Sequence, residues 1–405
     1  MPWVVLCCAS QERCHDRPCD PHELRPMTRR DQDPVPAAQG GVLAAQSGVH
    51  QPRSDHPVPH VVGAFTPPGQ PPDPVLVRRI RQAYRAAQGT WRGPGESLWA
   101  AIGARHRAIH DALLADDGSL DTILRDPGRS DLLYGFHSLF ASRTDELRAA
   151  SDGQRQAVVE ALAREMLRLC EALGVRPLGD PEAPAGPADV PPADLEAVLS
   201  RLDDAFGIRV EFPNPYPDEF GVMTSRGIIS YRAVHALYQT FRMRQLTRAH
   251  GPRILEIGAG LGRTAYYAYR LGLRDYTIVD LPMANVAQAS FLGQTLGATA
   301  ITLSAEAPNA GRIRILTPEW LRQSEEAFDV VLNVDSMTEM DRGFAEEYAS
   351  YIQARATCFV SINRETNPFR VCELAGLGQM FVQRFPYWMR DGYAEEIYLN
   401  LPRRG

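Results

Sequence analysis

The sequence contains no lysine, and all 43 of its basic residues are arginine. A Schiff-base enzyme needs a lysine amine, and a P-loop nucleotide hydrolase needs the lysine of its phosphate-binding motif. The composition therefore excludes both classes. The formal net charge of -6 and the pI near 6.0 also give no electrostatic reason to expect a nucleic acid or an acidic membrane as a partner.

Long apolar runs are missing as well. No stretch reaches the ~18 apolar residues that span a membrane, and the N-terminus lacks the basic and apolar regions of a signal peptide. Four of the seven cysteines lie in the first 19 residues without the C-x-x-C spacing of a zinc site. The other three lie among apolar residues, so we predict buried thiols in a cytoplasmic protein: Cys170, Cys358 and Cys372.

The chain divides into three parts by composition. Residues 1–72 are rich in proline and polar residues and lack periodicity, which predicts a disordered tail. Over 73–207, apolar residues recur at helical spacing, which predicts a helical N-terminal domain whose first helix is capped by Asp73. Residues 208–405 alternate strand and helix patterns, and we predict an α/β domain there.

Four local features are predicted around the boundary between the second and third parts. They are a proline-rich linker at 181–187, a helix at 193–206, a short strand at 208–212, and a helix at 228–250.

The most informative motif is a glycine loop between an apolar strand and a helix. Its pattern is E-x-G-x-G-x-G, from Glu256 to Gly262. Glycines are needed there because the backbone turns sharply and approaches a ligand without a Cβ in the way. A second apolar strand, 276–279, ends in Asp280, where an acid accepts hydrogen bonds from two ribose hydroxyls.

This pair of features fits two kinds of cofactor, and the spacing separates them. The dinucleotide fingerprint places its third glycine three residues after the second, whereas Gly262 follows Gly260 by two. S-adenosylmethionine carries an ammonium and a sulfonium and no phosphate, which suits a carboxylate such as Glu256 near the loop. The compact spacing, with Glu256 before it, resembles motif I of class I methyltransferases. The resemblance implies S-adenosylmethionine, held by Glu256, Gly258, Ala259, Gly260, Gly262, Asp280, Leu281 and Asn333.

Further apolar runs complete a doubly wound, Rossmann-like parallel sheet. Ligands bind beyond the carboxyl ends of the strands in such sheets. The acceptor site is therefore expected in the stretches that follow the fourth and fifth strands, 333–340 and 363–366. The additional strands are predicted at 300–303, 328–333 and 357–362, with a helix at 283–297.

Several of these segments together resemble the sugar O-methyltransferase family of class I S-adenosylmethionine-dependent methyltransferases. The segments are Arg263-Thr264-Ala265, Val279-Asp280-Leu281-Pro282, Asp335-Ser336-Met337-Thr338-Glu339-Met340 and Ser361-Ile362-Asn363-Arg364, preceded by Asn214-Pro215 and the helix of Tyr231. The resemblance covers about residues 208–400. It implies methyl transfer to a hydroxyl of a sugar or deoxysugar, in natural-product or glycan tailoring.

Histidine, the usual general base, is absent after residue 250. The base is therefore a carboxylate of the α/β domain or a histidine from the preceding segments. Asp335 is the first candidate, with helix N-capping as its alternative role. Glu339 could orient Asp335 or the acceptor, and His235 could reach over the site. Candidate substrate-binding residues are Tyr231, Asn363 and Arg364.

Alternative interpretations remain open at the level of sequence. A phenol or polyketide hydroxyl could be the acceptor, or the fold could serve as a non-catalytic scaffold. RNA methylation is disfavoured, because the Asn/Asp-Pro-Pro-aromatic motif of amino-group methyltransferases is absent. No metal site is predicted, since His106 and His110 lack further ligands. We expect a small-molecule acceptor, no nucleic acid and no membrane; the N-terminal helices could form a lid or a dimer surface.

Overall fold

The computed structural model describes residues 58–88, 107–130, 132, 141–178, 194–247 and 251–400. All of them belong to one compact unit, Ser54–Gly405. Residues 1–57, His106 and the linker predicted at 181–187 lie outside the described residues. None of the described helices has the length and apolar character needed to cross a membrane.

The described strands form two sheets. The smaller sheet is antiparallel and contains β1 (Gly63–Phe65), β2 (Phe220–Thr224) and β3 (Gly227–Ile229). The larger sheet contains β4 (Ile254–Ile257), β5 (Tyr276–Val279), β6 (Ile301–Leu303), β7 (Ile313–Leu316), β8 (Phe328–Val334), β9 (Ala356–Arg364), β10 (Phe381–Pro386) and β11 (Tyr393–Leu399).

The strand order of the large sheet is β10-β11-β9-β8-β4-β5-β7-β6. Strand β11 runs antiparallel to both of its neighbours, and the other paired strands are parallel. This confirms the predicted Rossmann-like fold class. The carboxyl ends of β4, β5, β8 and β9 meet along one edge, where ligands bind in doubly wound sheets.

The described helices are α1 (Pro74–Gln88), α2 (Arg107–Ala115), α3 (Asp117–Arg125), α4 (Ala141–Ala149), α5 (Asp152–Ala172), α6 (Leu195–Phe206), α7 (Tyr231–Leu246), α8 (Arg263–Arg270), α9 (Pro282–Leu296), α10 (Pro318–Gln323) and α11 (Arg342–Arg355). As predicted, Asp73 caps α1, since its Oδ1 accepts from the backbone N–H of Val75 at 2.8 Å.

Two strand predictions need correction. The segment predicted as the third strand is the edge strand β6, and β7, which was missed, separates it from β5. Arg314 interrupts the apolar pattern of β7, but its guanidinium is paired with Glu326. The strands β10 and β11 were also not predicted; in β11, the buried acids Glu395 and Glu396 break the alternation.

Predictions around 208–250 were partly wrong. No strand forms at 208–212; Phe212 makes only an isolated bridge to Gly227. The backbone N–H of Val210 donates to Oδ1 of Asp203 at 2.7 Å. This hydrogen bond competes with those that a strand would need. Helix α7 begins at Tyr231 rather than residue 228, because the preceding residues form β3.

The prediction of a disordered tail over 1–72 was wrong for residues 58–72, which the structure describes and which include a strand. Strand β1 pairs with β2, with Phe65 opposite Phe220. Just beyond it, the Thr66 hydroxyl donates to the carbonyl oxygen of Tyr216 and accepts from the backbone N–H of Glu219. The local sequence lacks apolar periodicity because the partners of this segment lie about 150 residues away in the chain.

Helices from the predicted N-terminal domain pack directly on the α/β sheet. Helix α1 lies against α9, and its Arg79 binds Glu306 and the carbonyl oxygens of Ala298 and Ile301 next to the edge strand. Helix α5 packs against α7. Their apolar side chains join one core cluster with those of the large sheet.

The three described cysteines differ in exposure. Cys170 and Cys358 are buried as predicted, and burial raises their thiol pKa values to about 11 and about 12. Cys372 is exposed, contrary to the prediction. It lies in a short 3-10 helix, Val371–Glu373, in which only Val371 faces the core.

Candidate active site

The glycine loop after β4 has the backbone that its sequence demands. Gly258, Gly260 and Gly262 have φ angles of +73°, +56° and +87°, which a residue with a side chain rarely adopts. A Cβ on Gly258 would lie 2.0 Å from the Oγ of Ser336. The loop therefore contacts the turn after β8, and position 258 has no room for a side chain.

Asp280 follows β5 and faces this loop. Its carboxylate accepts from the backbone N–H of Leu281 at 2.8 Å and from Nε2 of Gln288 at 2.7 Å. The same Nε2 donates to the carbonyl oxygen of Gly260 at 3.0 Å, so Gln288 connects the acid to the loop. Burial raises the pKa of Asp280 to about 6, although its hydrogen bonds lower it.

A second acid lies under the loop. Glu256 is buried within β4 and accepts from the hydroxyl of Tyr276 at 2.8 Å. Burial, and to a smaller extent the charge of Asp280, raise its pKa to about 7. Among the described residues, neither acid forms an ion pair, and Oε1 of Gln288 is buried without a hydrogen-bond partner. Two buried carboxyl groups thus flank the loop, and no described cation is paired with either of them.

Arg263, which departs from the dinucleotide fingerprint, has a structural partner. Its guanidinium donates to Glu219 of the β1-β2-β3 side at 2.7 Å and to the hydroxyl of Ser230 at 3.1 Å. Both members of the ion pair are buried. The start of α8, directly after the loop, is therefore fixed to the smaller sheet.

The structure gives Asn333 and Asn363 structural contacts. Nδ2 of Asn333 donates to the carbonyl oxygen of Ile257 and to Ser336, while its Oδ1 accepts from Met337 N–H and Asn363. An asparagine side chain makes four such bonds at most, so none is left for a cofactor. Nδ2 of Asn363 is likewise fully used. These side chains connect the ends of β4, β8 and β9.

Asp335 has a strained backbone at the carboxyl end of β8. Its φ of +65° and ψ of -41° are unusual for a residue with a side chain. Its carboxylate makes no capping hydrogen bond with the following 3-10 helix, Ser336–Glu339, so the N-capping interpretation was wrong. Instead it pairs with Arg232 at 3.3 Å and accepts from the hydroxyl of Tyr393.

Glu339 lies at the end of the same 3-10 helix, close to Asp335. Burial raises its pKa to about 7, and repulsion from Asp335 adds to the shift. The positive charges of Arg232 and Arg364 oppose this shift, which places both arginines within electrostatic reach of Glu339. Arg364 itself is exposed and donates to Asn367 at 3.1 Å.

His235 and Tyr231 lie one turn apart on α7, with ring centroids 4.3 Å apart. Nδ1 of His235 is 3.1 Å from the hydroxyl of Tyr387, and its Nε2 is 3.6 Å from Oε2 of Glu165 on α5. Among the described residues, Nε2 of His235, Oε2 of Glu165 and the Tyr231 hydroxyl are buried without a hydrogen-bond partner. The structure thus brings Tyr231 and His235 together beside Arg232, the partner of Asp335.

Sequence reasoning missed four side chains of this region: Glu165, Arg232, Gln288 and Tyr393. Arg232 and Gln288 lie in predicted helices, where a polar residue is ordinarily a solvated one. Glu165 comes from the N-terminal helical part, which had no motif to connect it to the sheet. Only Gln288 could have been found from the sequence. It follows Asp280 by a distance of about two helical turns, which places the two side chains on the same side of the chain.

The described residues contain no group of three or more histidine, cysteine or acidic side chains arranged to hold a metal ion. His110 is engaged with the hydroxyl of Tyr84, 2.7 Å from its Nδ1.

No family model matches the sequence, and no curated protein matches it either. Three solved structures illustrate what the fold is similar to. Magnesium protoporphyrin IX methyltransferase from Synechocystis, with bound S-adenosylhomocysteine, is 11% identical, covers 43% of this chain and 89% of its own, and gives a TM-score of 0.30.

The glycopeptide N-methyltransferase MtfA is 15% identical over 40% of this chain and 88% of its own, with a TM-score of 0.30. The [4+2]-cyclase SpnF is 12% identical over 42% of this chain and 82% of its own, with a TM-score of 0.31. Similarities this low carry no argument about function, and what each protein acts on is a property of that protein.

Proposed function

We propose that the protein is an S-adenosylmethionine-dependent O-methyltransferase that acts on a hydroxyl of a small sugar or deoxysugar acceptor. The main observation in support of this proposal is the pair of acids at the glycine loop, Glu256 and Asp280. Both are held by neutral donors, and no described cation is paired with them. A cationic ligand without phosphates fits this charge pattern, since it would offset the cost of burying two carboxylates.

The residues that would hold the cofactor are those of the loop and of the end of β5. Asp280 and Gln288 would contact the ribose, and the loop backbone at Gly258 and Gly260 would lie against the amino-acid portion. When bound, S-adenosylmethionine supplies an electrophilic methyl group on a sulfonium. Leu281, next to Asp280, would line the adenosine side, whereas Asn333 supports the loop from behind.

A dinucleotide fits less well. Pyrophosphate binds at a helix N-terminus where free N–H groups or an arginine meet its charge. The arginine at that position, Arg263, is buried in an ion pair with Glu219 and cannot turn toward a phosphate without leaving that acid unpaired. The two uncompensated acids would also repel a phosphate group.

Glu339 is better suited than Asp335 to act as the general base. The carboxylate of Asp335 is already engaged, since it pairs with Arg232 and accepts from the hydroxyl of Tyr393. The pKa of Glu339 is raised to about 7, close to the value at which a general base works best at neutral pH. We assign Glu339 to proton removal from the acceptor and Asp335 to holding Arg232.

Methyl transfer then depends on alignment of the acceptor oxygen with the methyl and the sulfur. Arg232 and Arg364 would bind hydroxyls of the acceptor near Glu339, and Tyr231 would form an apolar wall. The concentration of charged side chains in this region favours a polyhydroxylated acceptor over a phenol or polyketide, which would need a predominantly aromatic pocket.

Calorimetric titration of S-adenosylhomocysteine into the full chain tests the proposal. We expect micromolar binding by the wild type and a loss of at least about tenfold in Asp280→Ala. Asp275→Ala, in which the acid at the opposite end of β5 is removed, is the matched control and should bind normally. Absence of binding by the folded wild type would refute the methyltransferase and leave a scaffold or another cofactor.

A further inference from the structure

Three buried polar atoms of side chains near the proposed reaction centre have no hydrogen-bond partner among the described residues. They are Oε2 of Glu165, Nε2 of His235 and the hydroxyl of Tyr231. His235 is only 4% exposed. Buried polar groups are nearly always hydrogen-bonded, so three orphans in one place mark a position that a polar ligand group completes.

The distance between Glu165 and His235 leaves space for a bridging atom rather than a direct hydrogen bond. Glu165 Oε2 and His235 Nε2 are 3.6 Å apart, too far for a direct hydrogen bond. One oxygen atom can lie within hydrogen-bonding distance of both. A hydroxyl would donate to the carboxylate and accept from an N–H or O–H donor, which uses both of its capacities.

The surrounding charges define the kind of group. Arg390 lies over the rings of Tyr231 and Tyr393, at 5.4 Å and 4.2 Å, and Arg232 lies 5.6 Å from the Tyr231 ring. Two guanidinium groups repel an ammonium, and the carboxylate of Glu165 repels an acid. A neutral hydroxyl is compatible with both.

Helix α5 is held at this position by independent contacts. The indole N–H of Trp388 donates to the carbonyl oxygen of Arg168, one turn after Glu165. The helix also packs against α7, which carries His235. The placement of Glu165 therefore does not depend on its interaction with the histidine.

We propose that Glu165, His235 and Tyr231 form a subsite for one neutral hydroxyl of the acceptor, away from the hydroxyl that is methylated. The subsite is formed jointly by the N-terminal helical part and the α/β part of the chain. This inference rests on the proposed function for the location of the reaction centre, and it adds Glu165 as an acceptor-binding residue.

Nuclear magnetic resonance of the histidine rings in the full chain, saturated with S-adenosylhomocysteine, tests the subsite. The His235 signal is assigned with His235→Gln. The probes are methyl α-D-glucopyranoside, its 2-amino-2-deoxy analogue and the corresponding methyl glucuronoside, which differ in charge. We expect the neutral probe to shift the His235 signal and both charged probes to bind more weakly.

In Glu165→Gln, the Kd of the neutral probe should rise about tenfold or more, the loss typical of one hydrogen bond to a charged group. Glu160→Gln, an acid of the same helix that pairs with Arg164 and is 40% exposed, should leave the Kd unchanged. The affinity for S-adenosylhomocysteine should be equal in all three proteins, which shows that they are folded.

Three outcomes would overturn the subsite: tighter binding of a charged probe, an unchanged Kd in Glu165→Gln, or no shift of the His235 signal with any probe. Failure of the proposed function is seen separately, as an absence of S-adenosylhomocysteine binding by the wild type. The probes can then still be titrated into the ligand-free protein.

Discussion

The guanidinium of Arg263 donates to the carboxylate of Glu219 at 2.7 Å, where Glu219 is completely excluded from solvent. Nδ2 of Asn214 donates to the same oxygen, and the backbone N–H of Glu219 is bound by Thr66. The pair connects the residue after the glycine loop to the smaller sheet. It explains why an arginine occupies a place where a phosphate-binding loop would need a free N-terminus.

Removal of one partner of this pair should be costly. Glu219→Ala leaves the guanidinium buried without a counter-charge, so we expect a loss of about 3–5 kcal/mol in the free energy of unfolding. Urea denaturation followed by circular dichroism measures it. Glu347→Ala, in which an exposed pair with Arg322 is broken, should cost less than about 1 kcal/mol. Equal effects would contradict the importance of burial.

Gly258→Ala should abolish cofactor binding. The new Cβ would meet Ser336 Oγ at 2.0 Å in addition to the strain of a φ of +73°. Gly272→Ala has a similar strain, at φ +85°, but no atom within 4 Å of the new Cβ. We expect about 1 kcal/mol of destabilisation in the control and more in Gly258→Ala. Ser336→Gly should partly rescue the latter, as a double-mutant cycle of melting temperatures would show.

Glu256→Gln should stabilise the protein without cofactor at high pH. The pKa of Glu256 rises from 4.5 to about 7 on folding, so between these values the unfolded state loses its proton first. The contribution of Glu256 to stability therefore falls as the pH rises from 4.5 to 7 and stays low above it. At pH 8 the variant should be more stable by on the order of 2 kcal/mol, with no gain at pH 4.

The same variant should bind S-adenosylhomocysteine more weakly, because the negative charge beside the ammonium is lost. Equal stability of wild type and variant across this pH range would show that Glu256 does not carry a buried charge.

The rate of methyl transfer should rise with pH through about 7, where Glu339 loses its proton. Glu339→Gln should lower kcat by ~10²–10⁴-fold without a change in cofactor affinity. Asp335→Asn removes the negative charge that raises the pKa of Glu339, so the pH profile should shift to lower pH. A Glu339→Gln variant that stays active and keeps the wild-type pH profile would show that another group, with His235 as the next candidate, acts as the base.

The sequence was sufficient for the elements whose signals are local. The glycine loop, Asp280 and the strands β4, β5, β8 and β9 follow from apolar runs bounded by turn residues. In contrast, β7 and β11 carry Arg314, Glu395 and Glu396, which are neutralised by partners outside their own strands. A pattern of hydrophobicity contains no information about such partners.

In the candidate site, the sequence likewise predicts the positions of some residues but not the roles that depend on distant partners. Asp335 and Glu339 could be predicted because they follow a strand in a sheet whose ligand edge is known. Their different roles could not, because these depend on Arg232 and Tyr393, which come from two other elements. Asn333 and Asn363 have the right residue type at the right edge, but the network that uses all their hydrogen bonds becomes visible only in three dimensions.

The contacts at the end of the short strand β1 limit the order in which the chain can fold. Thr66 meets its partner Glu219 only after 153 further residues have been synthesised, and Arg263 follows 44 residues later. The start of α8, directly after the glycine loop, can therefore be fixed only after a segment that precedes it by almost 200 residues has docked. Closure over such a distance slows folding. A truncated protein that starts at Asp73, the N-cap of α1, would lack this segment. Glu219, the partner of Arg263, would then lose its hydrogen bond with Thr66.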